Sequence, residues 1–225
     1  VWAGGTAFGL GIWSMHFTGM LAFRLPVPMY YDVRITAMSV VAAVLPCVLS
    51  LYVAGTRRRS FGQLTLAAGF MAMGICSMHY LGMASITFSP GASYSLFWVV
   101  ASIVVAFTVS MVALQLLMRF SWVGNEPRFG VQLGAAALMA LGVCGMHYTG
   151  MAALNVGPGT FCLTSPGAVP GEQLSLVIVS IALLYLAAIT IGSQRDLHAS
   201  EQRFRALVDG GPGPMVIVGA HGRIS

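Results

Sequence analysis

Formal charge is what this sequence most lacks. Only 8% of its 225 residues are Asp, Glu, Lys or Arg, against roughly 25% in a soluble domain. Lysine is missing altogether, so the 11 basic residues are all arginine. The deficit is uneven, with no formal charge at 1–23, 35–56, 60–118, 129–171 or 173–194. About 20 mostly apolar residues cross a bilayer as a helix. The gaps therefore read as membrane spans, with two helices inside the longest, and argue against a water-soluble bundle. They also remove the nucleic-acid partner that a net charge of +5 would otherwise suggest. The four cysteines form no disulfide framework: Cys47, Cys76 and Cys144 fall within spans and only Cys162 in a loop, which suits free, packed thiols. No cleavable signal peptide is evident. The chain opens inside an apolar run at Val1 and Trp2, without an initiator Met, and stops at "AHGRIS", so it reads as a fragment of a longer protein. It contains no catalytic motif, which leaves the question of an enzyme to whatever else that protein carries.

What is present is 57% hydrophobic, with a mean hydropathy of +0.84. Six transmembrane helices are predicted at roughly 3–23, 34–54, 62–86, 94–118, 130–153 and 174–192, an all-α bundle. The loops after even-numbered helices and the tail hold Arg57, Arg58, Arg59, Arg119, Arg128, Arg195, Arg203 and Arg205, whereas the other loops hold only Arg24 and Arg34. By the positive-inside rule the arginine-rich side and the C-terminus are cytoplasmic, and 157–171, rich in Gly and Pro, is an outer loop. After helix six, "SQRDLHASEQRFRALVDGG" suits a short amphipathic helix, "MVIV" a strand and "GAHG" a turn: the opening of a soluble cytoplasmic domain.

One phrase recurs three times: "WSMHFTGM" from Trp13, "CSMHYLGM" from Cys76 and "CGMHYTGM" from Cys144. The histidines are 63 and 68 residues apart, so the repeating unit is a helical hairpin and the bundle is three related hairpins. Each phrase sits late in an outward-running helix. His16 precedes Phe23 by seven residues, or roughly 10 Å of helix, and His79 and His147 lie at similar depths. The three imidazoles thus occupy one layer in the outer half of the membrane. Neighbouring glycines such as Gly142 and Gly150 permit close helix approach.

Within each phrase the histidine and second methionine are at i and i+4: His16 and Met20, His79 and Met83, His147 and Met151. They project from one face, one turn apart. The first methionine (Met15, Met78, Met146) is turned about 100° away, but its flexible chain can bend toward a shared centre. Thioether is a soft ligand favouring Cu(I), and imidazole suits copper, zinc, iron and nickel. No carboxylate lies nearby, which counts against calcium and magnesium and weakens the case for non-haem iron, so copper fits best. Two bland readings stand beside this one: duplication of a purely structural hairpin, and a transport path. A haem held by two histidines leaves the third unexplained. Tyr80 and Tyr148 are candidates for an outer-shell hydrogen bond that Phe17 cannot make. Cys76 and Cys144 have a ligand-compatible offset, but Trp13 holds that place in the first phrase.

The phrases "WSMHFTGMLAF", "CSMHYLGMAS" and "CGMHYTGMAA" resemble the three signature motifs of the MHYT domain, an integral-membrane bacterial sensor domain. The resemblance covers about residues 1–192; Phe17 and Leu81 depart from the motif, and Met146–Thr149 spells it in full. It implies copper on Met15, His16, Met78, His79, Met146 and His147 with the trailing methionines, and sensing of oxygen, carbon monoxide or nitric oxide. The family usually has one more helix before the first motif, which implies seven spans in the intact protein. The tail is similar to the start of a PAS domain. The resemblance thus divides the chain into a sensor domain (1–192), a cytoplasmic connector helix (193–208) and a truncated PAS-like start (209–225). It implies a multi-pass protein of the bacterial inner membrane. In the family such chains continue into diguanylate cyclase and phosphodiesterase domains or histidine kinases, and a homodimer is a candidate assembly. The alternatives to a copper-based sensor are a transporter of copper or another solute, and a ligand-free membrane anchor.

Overall fold

A computed structural model of the chain describes residues 1–22, 28–55, 60–120, 122–123, 126–127, 129–164 and 166–209. Those residues hold six helices: α1 (Trp2–Ala22), α2 (Val33–Ala54), α3 (Phe61–Ala84), α4 (Leu96–Phe120), α5 (Phe129–Ala152) and α6 (Gly171–Asp209). They fall where the charge-free stretches predict them, and the architecture is the expected six-helix membrane bundle of three hairpins. The chain divides into two compact units, 1–182 and 183–225, of which the first contains α1 to α5.

Two departures from expectation have local causes. Span six and the connector at 193–208 form one helix of 39 residues. Gly192 is the only Gly or Pro near their junction, and the polar half is rich in Gln, Arg, Ala and Leu, all good helix formers. A Glu201–Arg205 pair at i,i+4 adds a contact of 2.6 Å. Secondly, five helices rather than six are long and apolar enough to cross a membrane, α1 being the exception. Gly4, Gly5, Gly9, Gly11 and Gly19, with Trp and His, dilute its apolar character, yet it contributes seven buried positions to the interior. Arg24, Arg57, Arg58, Arg59 and Arg128, which carry much of the orientation argument, and the "MVIV" and "GAHG" segments lie outside the described residues.

Small residues set how closely the helices approach. Gly5 and Gly9, one turn apart on α1, face the backbone of Val48 and Val44 on α2, a small-xxx-small contact of the kind that packs membrane helices. Pro46 lies inside α2 and cannot donate to the carbonyl of Ala42. Gly74 of α3 makes room for its ring, and the Ser77 hydroxyl, donating mainly to Met73 (2.6 Å), also reaches the Ala42 carbonyl at 3.4 Å. Buried hydroxyls knit further pairs: Ser50 of α2 donates to the Ala67 carbonyl of α3 at 2.7 Å. Helix α2 starts at Asp32, whose carboxylate accepts from the amides of Arg34 and Ile35, the usual way of satisfying a helix start.

Short strands tie the loops together. They are β1 (Tyr30–Asp32), β2 (Phe88–Ser89), β3 (Ser93–Tyr94), β4 (Trp122–Val123), β5 (Glu126–Pro127), β6 (Leu154–Asn155), β7 (Phe161–Cys162) and β8 (Ala168–Pro170). The loop after α5 pairs antiparallel with both other loops at its end of the bundle, through β1–β8, β2–β7 and β3–β6. The residue before α2 and the residue before α4 make the same backbone bond to the end of the next motif helix: Asp32 N to Ser85 O (2.8 Å) and Ser95 N to Ala153 O (2.9 Å). At the third corresponding place stands Pro170, which has no N–H, and Gly171 donates instead to Met29 O at 3.3 Å. The cap closes over Tyr31, which is fully buried against Phe17. Burial raises its hydroxyl pKa to about 12, so it stays protonated at any ordinary pH.

Candidate metal centre

Helices α1, α3 and α5 each end five or six residues beyond their histidine, so the cap fixes all three histidines at one height. Their side chains are at most 2% exposed. The three rings face one another edge to face, with centroids 4.9, 5.1 and 5.2 Å apart, a nearly equilateral triangle. The Nδ1 atoms point inward: His16 Nδ1 lies 3.1 Å from His147 Nδ1 and 3.2 Å from His79 Nδ1. Among the described residues this is the one group of three or more His, Cys, Asp or Glu side chains placed to share a metal ion, with ligand atoms within 4.8 Å of one another.

The inward turn has a steric cause that runs around the triangle. The outer edge of each imidazole, with its Nε2, rests on the glycine three residues beyond the histidine of another motif: His16 on Gly82, His79 on Gly150 and His147 on Gly19. A methyl group at any of the three glycines would overlap the imidazole. Each motif thus supplies one histidine and the seat for another. The spacing His-x-x-Gly, present in all three phrases, was the sequence signal for this arrangement; read alone it suggested only close helix approach.

Hydrogen bonds alone cannot satisfy all three inward nitrogens of the centre. An imidazole nitrogen has either one N–H or one lone pair. His16 Nδ1 faces two other Nδ1 atoms and can make one good hydrogen bond, not two. A cation in the middle would take all three lone pairs at once. Ligand nitrogens about 2.0–2.1 Å from a metal sit roughly 3.3–3.6 Å apart for tetrahedral or trigonal geometry, so edges of 3.1 and 3.2 Å need only a small spreading. The residues present fit a small ion ligated through Nδ1.

The remaining sequence-predicted residues divide. Met20, Met78, Met83 and Met146 are buried in the main hydrophobic core, and Met15 and Met151 pack against it partly buried. Cys76 and Cys144 are half-buried free thiols outside the metal-competent cluster. Each motif aromatic meets its own histidine edge to face, Phe17 and Tyr80 at 4.9 Å and Tyr148 at 5.4 Å. The hydroxyls are used differently from expectation. Tyr80 bonds Ser102 on α4 at 2.8 Å, whereas Tyr148 is 69% exposed on the bundle surface, so it gives the centre no outer-shell hydrogen bond. In the first hairpin Trp13, the residue in the cysteine position, donates Nε1–H to Ser39 on α2 at 3.0 Å. Ser39 and Ser102 each lie six residues into their helix, and at the same offset in α6 stands Val177. Sequence reasoning missed these serines; their shared offset from the helix start was the available signal.

The chain matches the MHYT family, described as "Bacterial signalling protein N terminal repeat", over residues 9–67, 73–124 and 141–201, one segment per hairpin. It is similar to the bifunctional diguanylate cyclase/cyclic di-GMP phosphodiesterase MucR of Pseudomonas aeruginosa, with 38% identity over 86% of this chain and 28% of that protein. The cyclic di-GMP phosphodiesterase NbdA of the same organism is 36% identical over 68% of this chain and 20% of its own length. The signaling protein YkoW of Bacillus subtilis is 28% identical over 91% of this chain and 27% of its own length. The chain therefore spans less than a third of these relatives. No solved structure matches it. Three family segments, each carrying one member of a closed histidine ring, establish that the chain belongs to the MHYT family of bacterial signalling proteins.

Proposed function

We propose that this chain is the membrane sensory module of a bacterial signalling protein, holding copper on His16, His79 and His147 and responding to a diatomic gas (oxygen, carbon monoxide or nitric oxide) or to redox state. The observation that carries the reading is the ring of inward Nδ1 atoms, each imidazole seated on another motif's glycine. Two arguments favour Cu(I). The six motif methionines, Met15, Met20, Met78, Met83, Met146 and Met151, stand one residue before and four after each histidine and offer soft thioethers. The three motif helices carry no carboxylate to neutralise an ion. Desolvation cost scales with the square of the charge, so a divalent ion costs about four times what a monovalent one does.

Bound copper would supply an open coordination position or a one-electron change. The chain's own residues hold the rings: the glycines fix their tilt, while Phe17 and the cap over Tyr31 keep water from the His16 side. A change in ring spacing would press on α1, α3 and α5. It would leave the bundle through α6 toward the 193–208 connector and the PAS-like start at 209–225. We place the module (1–192) in the bacterial inner membrane with its C-terminus cytoplasmic. Turnover of cyclic di-GMP is the favoured output of the whole protein because two relatives are named for it; a histidine kinase is the other output class.

Purified protein should contain copper stoichiometric with the chain by mass spectrometry. Replacement of all three histidines by alanine should abolish it while the protein still elutes as a folded species. Copper missing from the wild type, or unchanged in the triple variant, would refute the reading.

A further inference from the structure

Between the first hairpin and the start of α6 lies a cavity of about 320 Å³. Its walls are Val33, Ala37 and Val40 of α2, Val169 of β8, Leu174, Val177 and Ile181 of α6, and the face of Trp13. Two polar side chains also line it, Thr36 and Gln173. Thr36 is 5% exposed, and its hydroxyl oxygen, almost wholly covered by the cavity wall, has no hydrogen-bond partner among the described residues. A buried hydroxyl left unbonded costs roughly 1–3 kcal/mol, so this one has the character of a donor awaiting an acceptor. Among the described residues no charged side chain lines the cavity, which disfavours a phosphate, a carboxylate or an amine.

Size narrows the occupant. The cavity is at the small end of ligand pockets, which run from about 300 to 1,000 Å³. It is roughly ten times the volume a single small molecule such as water takes up in a liquid, so a diatomic gas would leave it nearly empty. Thr36 and Gln173 lie within the first turn of their helices, about 3–5 Å from the helix starts. That is the boundary between apolar core and polar surface, where a membrane amphiphile keeps its carbonyl.

We infer that this cavity binds a neutral, carbonyl-bearing membrane amphiphile, its carbonyl accepting from the Thr36 hydroxyl and its apolar body lying against Trp13. A quinone-type head and a lipid ester both offer that chemistry. The site needs no metal, and Trp13 links it to the histidine ring through Phe17, with centroid steps of 5.1 and 4.9 Å.

The test uses this metal-free chain in nanodiscs, with Trp2, Trp98 and Trp122 replaced by Phe so that Trp13 alone reports. Decylubiquinone should quench its fluorescence saturably in ether-linked lipid, which has no ester carbonyl. Thr36→Val should weaken binding roughly tenfold, Thr36→Ser should retain it, and Val177→Phe should abolish it by filling the space. Tighter apparent quinone binding in ether than in ester lipid would identify the lipid ester as a competing natural occupant; equal binding would identify the quinone-type head. Quenching without saturation, or Thr36→Val and Val177→Phe both binding like wild type, would overturn the proposal.

Discussion

Hairpins α1–α2 and α3–α4 each carry a side-chain hydrogen bond between their own two helices, Trp13 to Ser39, buried, and Tyr80 to Ser102, part-buried. Hairpin α5–α6 has no such bond among the described residues. Its tyrosine, Tyr148, faces outward, and Val177 occupies the serine's place. The two kinds of hairpin share the histidine, the glycine seat and the edge-to-face aromatic contact. They differ in what joins the motif helix to its partner. Near its start α6 is held by the buried side chains of Leu174 and Ile178 and by the β1–β8 ladder. Packing without a directional bond suits the helix that leads out of the bundle, because weakly tied elements are the ones that move at low cost. Duplication kept the centre threefold and relaxed one of its three arms.

The comparison breaks most readily at the shared feature. Gly82→Ala places a methyl group against the His16 ring. It should destabilise the protein by at least about 2 kcal/mol, as overpacking does, and displace the ring from the centre. Gly150→Ala should behave alike, since the third hairpin's seat is as tight as the second's. Denaturation in mixed micelles and metal content would show both. Equal stability of Gly82→Ala and wild type would deny that the glycines aim the rings.

The next effect separates the hairpins. Ser102→Ala and Ser39→Ala each remove the acceptor of an interhelical hydrogen bond and should cost about 1 kcal/mol. Tyr148→Phe should fall within about 0.5 kcal/mol of wild type, as exposed changes do. A Tyr80→Phe/Ser102→Ala double-mutant cycle isolates the coupling; a coupling of zero, or a Tyr148→Phe penalty as large as that of Ser102→Ala, would erase the distinction. The smallest change is expected at Gly11, where a methyl group meets nothing within 4 Å. Gly11→Ala should be neutral or gain up to about 1 kcal/mol from helix propensity alone, a control for the seat glycines on the same thermal or chemical unfolding scale.

How far the sequence could be read follows from which forces are local. The helices were legible because five charge-free gaps admit little else in a bilayer. The shared depth of His16, His79 and His147 was legible because each precedes its helix end by five or six residues. The direction of the rings was not. Which nitrogen turns inward depends on a glycine of another helix dozens of residues away, and the phrase shows the glycine without showing its tenant. The use of Tyr80 but not Tyr148 was equally hidden, since it depends on Ser102 and Val177 coming to equivalent places. That equivalence emerges only once the cap aligns Asp32 with Ser95. The continuous run of α6 through the connector was missed for a simpler reason: the change from apolar to charged residues at 193 does not end the helix.

The central claim is that three imidazole nitrogens converge on one ion. X-ray absorption at the copper edge of copper-loaded protein measures this directly. The account predicts a first shell of three nitrogens at about 2.0 Å, with multiple-scattering features of imidazole and any sulfur as an addition to that set. A shell dominated by sulfur, or one with fewer than three imidazoles, would contradict it.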